Sequence, residues 1–354
     1  MYCVFVIVFY LPGQFQSGLE IMGRLEFDEI LKHIGQFGPW QIRIHFLMWL
    51  TSAAGGLAVV VYTFTAYGVD YRCINPYCEN PESAIYNDSA NLDNAGLSAC
   101  EYQGFDKDIL PPPQLQTEQY CQDYHRLLSQ QSNNSIRVRC SHDDLVFDQG
   151  IVTSSLMQDY GFTCENAYLK SIYGSLYMLG MLLGSYTVGA ISDKYGRIKA
   201  LMLGIVLVSS SGFLGAFMPN AHGFGFFRFL TGIGGIACFM VTFVIVVETV
   251  GVKYTMLAGI FIEIPFALGE LLLGLEAYFI RDWFTLQLVA YTPLIILLGL
   301  YFLVPESPRW LIATGRYEEA VKIIKAAAIT NKRDVPDSLL EVSKLSFFSV
   351  QNTI

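Results

Sequence analysis

The sequence predicts an all-α membrane protein with six transmembrane helices and one large, disulfide-rich extracellular loop. Of its 354 residues, 53% are apolar and only 15% are charged, whereas soluble globular proteins have about 25% charged residues. Six apolar runs approach the length of about 20 residues that a helix needs to cross the hydrocarbon core. The net charge of −9 is concentrated between two of these runs. It excludes the basic surface that nucleic-acid binding needs.

The six predicted spans divide the chain into cytoplasmic, membrane and extracellular segments. A helix-breaking Pro265 inside the fifth predicted span favours a kink or a tilt there. In chain order the segments are a cytoplasmic N-terminal segment at 1–45, the first span at 46–67, an extracellular loop at 68–171, further spans at 172–192, 200–218, 229–247, 256–280 and 285–304 (together the block 172–304), and a truncated cytoplasmic linker at 305–354.

The basic residues of the short loops predict the orientation. If the chain has six spans, all of these basic residues fall on one side of the membrane. Of the two short loops on the opposite side, one has no charged residue and the other has only Arg281 and Asp282. Because Lys and Arg are enriched on the cytoplasmic side, both termini are predicted to be cytoplasmic in a multi-pass plasma-membrane protein. The basic residues concerned are Arg24, Lys32, Arg43, Lys194, Arg197, Lys199, Lys253, Arg309, Arg316, Lys322, Lys325, Lys332, Arg333 and Lys344.

The loop at 68–171 is acidic and rich in cysteine. Two Asn-x-Ser sequons, at Asn87 and Asn133, predict glycosylation on the outer face. Its even cysteine set in an oxidising compartment predicts three disulfides, whose pairing the sequence leaves open. The alternative is an unstructured loop with free thiols. The six cysteines are Cys73, Cys78, Cys100, Cys121, Cys140 and Cys164.

The first residues do not read as part of the fold. The run from Cys3 to Leu11 is too short to span a membrane. It also lacks the basic region and cleavage site of a signal peptide. We therefore expect Met22 to be the natural start and residues 1–21 to be an upstream extension.

A sequence signature typical of a tight, charged loop between two helices follows the second predicted span. Gly189, Asp193, Lys194, Gly196 and Arg197 fit the pattern G-x-x-x-D-[RK]-x-G-R. Gly189 would let two helices touch closely, and Gly196 would permit a tight reversal of the chain. Asp193 would pair with a basic group or cap a helix N-terminus. Arg197 can donate two parallel hydrogen bonds to a carboxylate. The alternative is a set of ordinary positive-inside charges. The pattern resembles the loop signature of the major facilitator superfamily and implies its fold.

Further charges are placed to complete a gating network. Glu248, at the inner end of the fourth predicted span, is expected to meet Arg197 or Arg309. The run Pro305-Glu-Ser-Pro-Arg-Trp-Leu311 offers Glu306 and Arg309 to the same network. A network that forms when the inside is closed and breaks when it opens can gate alternating access. Arg228, at the outer end of the fourth span, either snorkels outward or has a function.

Four side chains inside the spans are candidates for binding a substrate. Phe239 and Phe243 are four residues apart, so they share a helix face. Aromatic faces bind ammonium groups, although packing or lipid contact is the alternative. Glu263 and Glu270 share a face of the fifth span, and an intramembrane carboxylate is a functional hypothesis by default. No P-loop, H-E-x-x-H or G-x-S-x-G motif occurs, so neither an enzyme, a cofactor nor a metal site is predicted.

The chain resembles the organic cation/carnitine transporter family of solute carriers over residues 22–330. The resemblance is carried by the cysteine-rich glycosylated loop, by the signature at Asp193 and by four short runs: Glu29–Gly38, Cys164–Lys170, Ala277–Trp283 and Pro305–Leu311. It implies the N-terminal half of a twelve-span carrier that moves small organic cations or zwitterions such as carnitine, with aromatic residues of the fourth span in its cavity. The implied partners are a small organic ion, the lipid bilayer and a co-transported ion. A sugar or organic anion carrier and a non-transporting half-protein that associates with other membrane proteins are the alternatives.

Overall fold

The structure is a computed structural model that describes residues 28–79, 84, 86, 99–104, 118–130 and 136–336. The proposed upstream extension at 1–21 and both sequon asparagines, Asn87 and Asn133, lie outside these residues. The described chain forms two compact units. The first unit contains most of the helices at 28–62, Tyr173–Phe279 and 284–336, and the second contains Thr63–Ile172 and Ile280–Trp283.

Within the described residues, six helices are long and apolar enough to cross a membrane, as predicted. We refer to them as the first to the sixth span. They are Pro39–Thr65, Tyr168–Tyr195, Arg197–Ala216, Ala221–Thr249, Thr255–Phe279 and Trp283–Leu303. The sixth span changes to a 3-10 helix over Thr292–Gly299, where a proline stands near its start. Proline cannot donate a backbone hydrogen bond, which favours the change.

The first span begins at Pro39, seven positions before the predicted start at 46. The polar residues of its first two turns concealed this start. Gln41 and His45 are buried, and the Gln41 Nε2 atom donates to the carbonyl of Gly35 at 2.9 Å. Polar side chains with internal partners can extend a span that hydropathy alone cuts short.

Small residues allow the first and fifth spans to touch. A Cβ atom added to Gly56 would overlap the carbonyl of Phe266, and one added to Gly269 would overlap the carbonyl of Ala53. The Ser52 hydroxyl also donates to the carbonyl of Ile262 at 2.8 Å. Close backbone approach and interhelical hydrogen bonds are the main forces between helices in lipid.

The second unit is held by two short antiparallel strand pairings, each between strands distant in sequence, and by disulfides. β1 (Tyr71–Cys73) pairs antiparallel with β4 (Leu145–Phe147), and β2 (Glu101–Gly104) pairs antiparallel with β3 (Ile136–Arg139). A small unit with little apolar core needs such covalent links. The predicted disulfides are present, and their pairing is Cys73–Cys140, Cys78–Cys121 and Cys100–Cys164.

A buried aromatic and ionic core completes this unit. The rings of Tyr77 and Tyr124 stack with centroids 4.9 Å apart, and both side chains are buried. The Arg72 guanidinium donates to the Glu79 carboxylate at 2.6 Å, and this pair is also buried.

Candidate functional site

The signature loop is a single residue between two helices. The second span ends at Tyr195 and the third begins at Arg197, with Gly196 between them at a φ of +111°. Side chains other than glycine rarely adopt this backbone conformation. The tight reversal predicted for Gly196 is therefore what the structure has.

Arg197 joins three elements through its guanidinium. It donates to both carboxylate oxygens of Glu248 on the fourth span, from Nη2 at 2.9 Å and from Nε at 3.3 Å. Its Nη1 atom bonds the Asp193 carboxylate and the Ser192 hydroxyl. The side chains of Arg197 and Glu248 are only 13% and 16% exposed, so this bidentate pair is largely desolvated and strong.

Glu306 caps the start of the third span. Its Oε1 atom accepts from the backbone N–H of Arg197 at 2.9 Å, of Ile198 at 3.3 Å and of its neighbour Ser307 at 3.0 Å. A carboxylate at a helix N-terminus satisfies free N–H groups and complements the helix dipole. The Asp193 side chain, by contrast, is 73% exposed and pairs with Arg197, so helix capping falls to Glu306. Burial raises the pKa of the Glu306 carboxyl, and the N–H groups oppose that rise.

Arg309 joins the run after the sixth span to the N-terminal segment and to the end of the fourth span. Its guanidinium pairs with Asp28 and donates to the carbonyl of Val250 at 3.3 Å. Of the two arginines expected to meet Glu248, Arg197 does so. The neighbouring Trp310 donates its Nε1–H to the carbonyl of Asp193 at 2.7 Å. The run after the sixth span thus contacts the N-terminal segment, the end of the second span and the end of the fourth.

Two members of the signature make weaker contacts. Lys194 is exposed, and its ammonium group lies 5.4 Å from the centre of the adjacent Tyr195 ring. The prediction that Gly189 brings two helices together is wrong, because a Cβ atom added to it would meet nothing closer than the Met240 methyl group at 4.0 Å. The close approach to the fourth span is made one to three turns earlier, at Gly180 and Gly184.

The candidate substrate residues separate into two environments. Phe239 is 7% exposed and packs edge-to-face on Phe266 with ring centres 5.0 Å apart. Phe243 is half-buried, and its ring lies against Gly259 of the fifth span, 3.1 Å from where a Cβ would be. Gly259 is one helical turn before Glu263, so the two share a face.

Both intramembrane glutamates are half-buried. No described residue forms a hydrogen bond or ion pair with Glu263 or Glu270. The structure therefore brings an aromatic ring, Phe243, to the turn before an unpaired carboxylate, Glu263. The sequence placed these residues on separate spans and gave no signal of this proximity.

Arg228 is the functional candidate whose environment the sequence did not reveal. It is 5% exposed, so outward snorkelling is wrong. Its guanidinium carbon lies 4.7 Å from the centre of the Tyr62 ring and 4.6 Å from that of Tyr177. These rings come from the first and second spans, and no sequence spacing connects them to the fourth.

One group of potential metal ligands lies together in the described part of the chain. It consists of Cys78, Cys121 and His125. The two sulfurs are joined in a disulfide, and metal binding needs thiolates. This group is therefore a covalent link of the second unit.

The match to known proteins identifies the family. The family described as "Sugar (and other) transporter" matches residues 119–346. The chain belongs to this family. Two solved structures of the xylose transporter XylE from E. coli, one described as a major facilitator superfamily proton:xylose symporter, match 89% of the chain at 16% identity, with TM-scores of 0.52 and 0.53, and the match covers 60% and 54% of those chains. The predicted fold class is confirmed.

Curated relatives also match most of the chain. The "Organic cation transporter protein" of Drosophila melanogaster is 32% identical over 318 residues, which are 89% of this chain and 55% of that protein. The mouse "Solute carrier family 22 member 3" is 30% identical over 330 residues (90% and 58%), and the human "Organic cation/carnitine transporter 2" is 28% identical over 348 residues (92% and 58%). The predicted family resemblance is confirmed, and the chain spans about half the length of these relatives.

Proposed function

We propose that this chain supplies one half of an alternating-access carrier for small organic cations or zwitterions of the carnitine type. The proposal is supported by the names of the relatives and by the match of this chain to about half the length of each. The runner-up cargoes, sugars and organic anions, are outcomes of the test below. A carrier driven by the membrane potential needs no nucleotide, because about 2.3 kcal/mol per 100 mV accumulates a monovalent cation roughly fiftyfold.

The observation that carries the proposal is the placement of Phe243 beside the turn that leads to Glu263. A cation between an aromatic face and a carboxylate gains about 0.5–2 kcal/mol from the ring. It also pairs with a charge that no described residue neutralises. We propose that Phe243 and Glu263 contact the cation, that Glu270 extends the acidic face, and that Phe239 forms a wall behind Phe243.

The charge network at the signature loop is proposed to close the cytoplasmic side. Arg197 holds Glu248 and Asp193, while Glu306 holds the backbone at the start of the third span. Opening must separate groups that are now largely desolvated, which gives the two states a discrete energy gap. Arg197→Gln is expected to reduce uptake per carrier molecule at the cell surface, with the surface amount measured by biotinylation. Normal uptake would remove the gating role.

The topology is proposed to be that of a plasma-membrane protein with cytoplasmic termini and a glycosylated outer loop at Asn87 and Asn133. Enzymatic removal of N-glycans from the chain expressed in cells is expected to lower its apparent mass. The variant Asn87→Gln/Asn133→Gln should run at that lower mass without treatment. An unchanged mass in both comparisons would place the loop inside.

Uptake of labelled substrates tests the cargo. Because the chain spans about half of its relatives, it is expressed in oocytes both alone and joined to the second half of the Drosophila organic cation transporter protein. The joined protein is expected to take up tetraethylammonium, with inhibition by carnitine and none by glucose. Uptake of glucose or of p-aminohippurate instead would transfer the proposal to a sugar or an anion. Uptake by the joined protein but not by the chain alone would identify a half-protein that needs a partner.

A further inference from the structure

Arg228 belongs to a buried cluster with three tyrosines, which we call the Arg–Tyr cluster: Tyr62, Tyr177, Arg228 and Tyr291. All four lie in the first unit, on the first, second, fourth and sixth spans. Arg228, Tyr177 and Tyr291 are 5%, 1% and 1% exposed. The faces of Tyr62 and Tyr177 cover the guanidinium at 4.7 and 4.6 Å.

The positive charge of this cluster has no acidic partner among the described residues. A buried charge is strongly unfavourable unless it is paired and hydrogen-bonded. Cation–π contacts with the ring faces of two tyrosines offset part of that energy. They leave the Nε–H group of Arg228 without an acceptor among the described residues.

Polar atoms around the guanidinium are also unsatisfied. The Nε of Arg228, the hydroxyl of Tyr177 and the hydroxyl of Tyr291 are buried and have no hydrogen-bond partner. All three can donate. Both tyrosine hydroxyls interact electrostatically with Arg228. Three unpaired donors beside one uncompensated positive charge are the chemistry of an anion site.

We propose that the Arg–Tyr cluster binds a compact monovalent anion, either chloride or the carboxylate of a zwitterion. One negative charge balances one guanidinium, and a compact acceptor can receive the bonds of Nε and of the two hydroxyls. A bound water would satisfy the hydrogen bonds but leave the charge. In a carrier for cations, neutralisation of Arg228 would also remove a repulsion inside the bundle.

Thermal unfolding of the purified 354-residue chain in detergent tests the proposal without any transport. Its result is therefore independent of the proposed function. Sodium chloride, sodium acetate and carnitine are each compared with the bulky sulfonate sodium MES at equal ionic strength. A ligand of the folded state alone raises the Tm with concentration, and we expect a saturable rise of about 2–4 °C.

Variants within the Arg–Tyr cluster decide whether the effect arises there. Arg228→Gln should abolish the rise, and Tyr177→Phe and Tyr291→Phe should increase the half-maximal anion concentration at least fivefold. The matched controls are Arg281→Gln and Tyr186→Phe, whose side chains are exposed; they should respond as the unmodified chain does. The two Tyr→Phe variants keep their rings, so they remain informative if Arg228→Gln does not fold.

The outcomes are distinct. A rise with chloride assigns the site to an inorganic anion, and a rise with acetate and carnitine only assigns it to a substrate carboxylate. The same Tm in all salts, as a water-filled cluster would give, overturns the proposal. An unmodified response in all three cluster variants overturns it as well.

Discussion

Replacing Gly196 by alanine should destabilise the chain strongly, for two reasons that the structure supplies. The backbone at Gly196 has φ +111° and ψ 156°, a region that is nearly exclusive to glycine and costs other residues about 1–3 kcal/mol. The new Cβ would also overlap the Glu306 carboxylate. Displacement of this carboxylate uncaps the third span, which typically costs about 0.5–2 kcal/mol.

Together these effects predict a loss of about 2–5 kcal/mol in the free energy of unfolding. By the scale for soluble domains of 150–250 residues, this lowers the Tm by about 4–20 °C. The assay is thermal unfolding of the purified chain in detergent, followed by tryptophan fluorescence. The matched control is Gly189→Ala in the same signature, where the added methyl group meets nothing closer than 4.0 Å.

Gly189→Ala should leave the Tm unchanged or raise it slightly, because glycine inside a helix is about 0.5–1 kcal/mol less favourable than alanine. Glu306→Ala should cost less in the Gly196→Ala background than alone, since the overlap is then relieved. A Tm for Gly196→Ala within 1 °C of the unmodified chain would refute the reasoning. An equal fall in Tm for Gly189→Ala would also refute it, because the effect would then not depend on the backbone conformation and the Cβ overlap at Gly196.

Three further predictions concern side-chain contacts within the first unit. Arg197→Met and Glu248→Met should each cost about 3–5 kcal/mol, and the double variant should cost less than either, because removing both partners leaves no buried unpaired charge; a thermal-unfolding cycle measures this, and additive losses would contradict it. Glu306→Gln should destabilise the chain less than Glu306→Ala, since it keeps an acceptor for the backbone N–H groups. Burial raises the pKa of Glu306 above its usual 4.5, so its stabilising effect is complete below pH 4.5 and is lost as the pH rises through the folded-state pKa. The Tm of the unmodified chain should therefore fall relative to that of Glu306→Gln between pH 4 and 7, and a constant Tm difference would exclude the shift. Asn331→Ala should lower the free energy of unfolding by about 2–3 kcal/mol. Its side chain bonds the backbone N–H of Trp40, the carbonyl of Ile34 and the Gln41 amide at 2.9–3.0 Å. The control is Lys332→Ala, at an exposed position, and equal Tm values for the two variants would contradict the prediction.

The sequence predicted the features that depend on local composition. Hydropathy located six spans, because a helix in lipid must be apolar along about 20 residues. It placed the starts of the first and fourth spans at 46 and 229, whereas these helices begin at Pro39 and Ala221. For the first span, the internal partners of Gln41 and His45 are not visible in composition. The disulfides were predicted from an even cysteine count, but their pairing depends on how the strands of the second unit meet.

The sequence predicted contacts of the candidate site only between residues that belong to recognisable charged motifs. Arg197 and Glu248 meet as the charge pattern indicated. Glu306 was expected in the network, but its bonds to backbone N–H groups needed the position of the third span. The surroundings of Arg228 come from three other spans, and only their packing could reveal them.

The most direct test of the central claim is the concentration dependence of tetraethylammonium uptake by the joined protein described above. Phe243→Leu should raise the KM about 2–30-fold, the loss of one cation–π contact, and Glu263→Gln should raise it further. The control Phe261→Leu, on the exposed side of the fifth span, should leave the KM unchanged. An unchanged KM in both Phe243→Leu and Glu263→Gln would contradict the account that this half of the carrier binds a cation between its fourth and fifth spans.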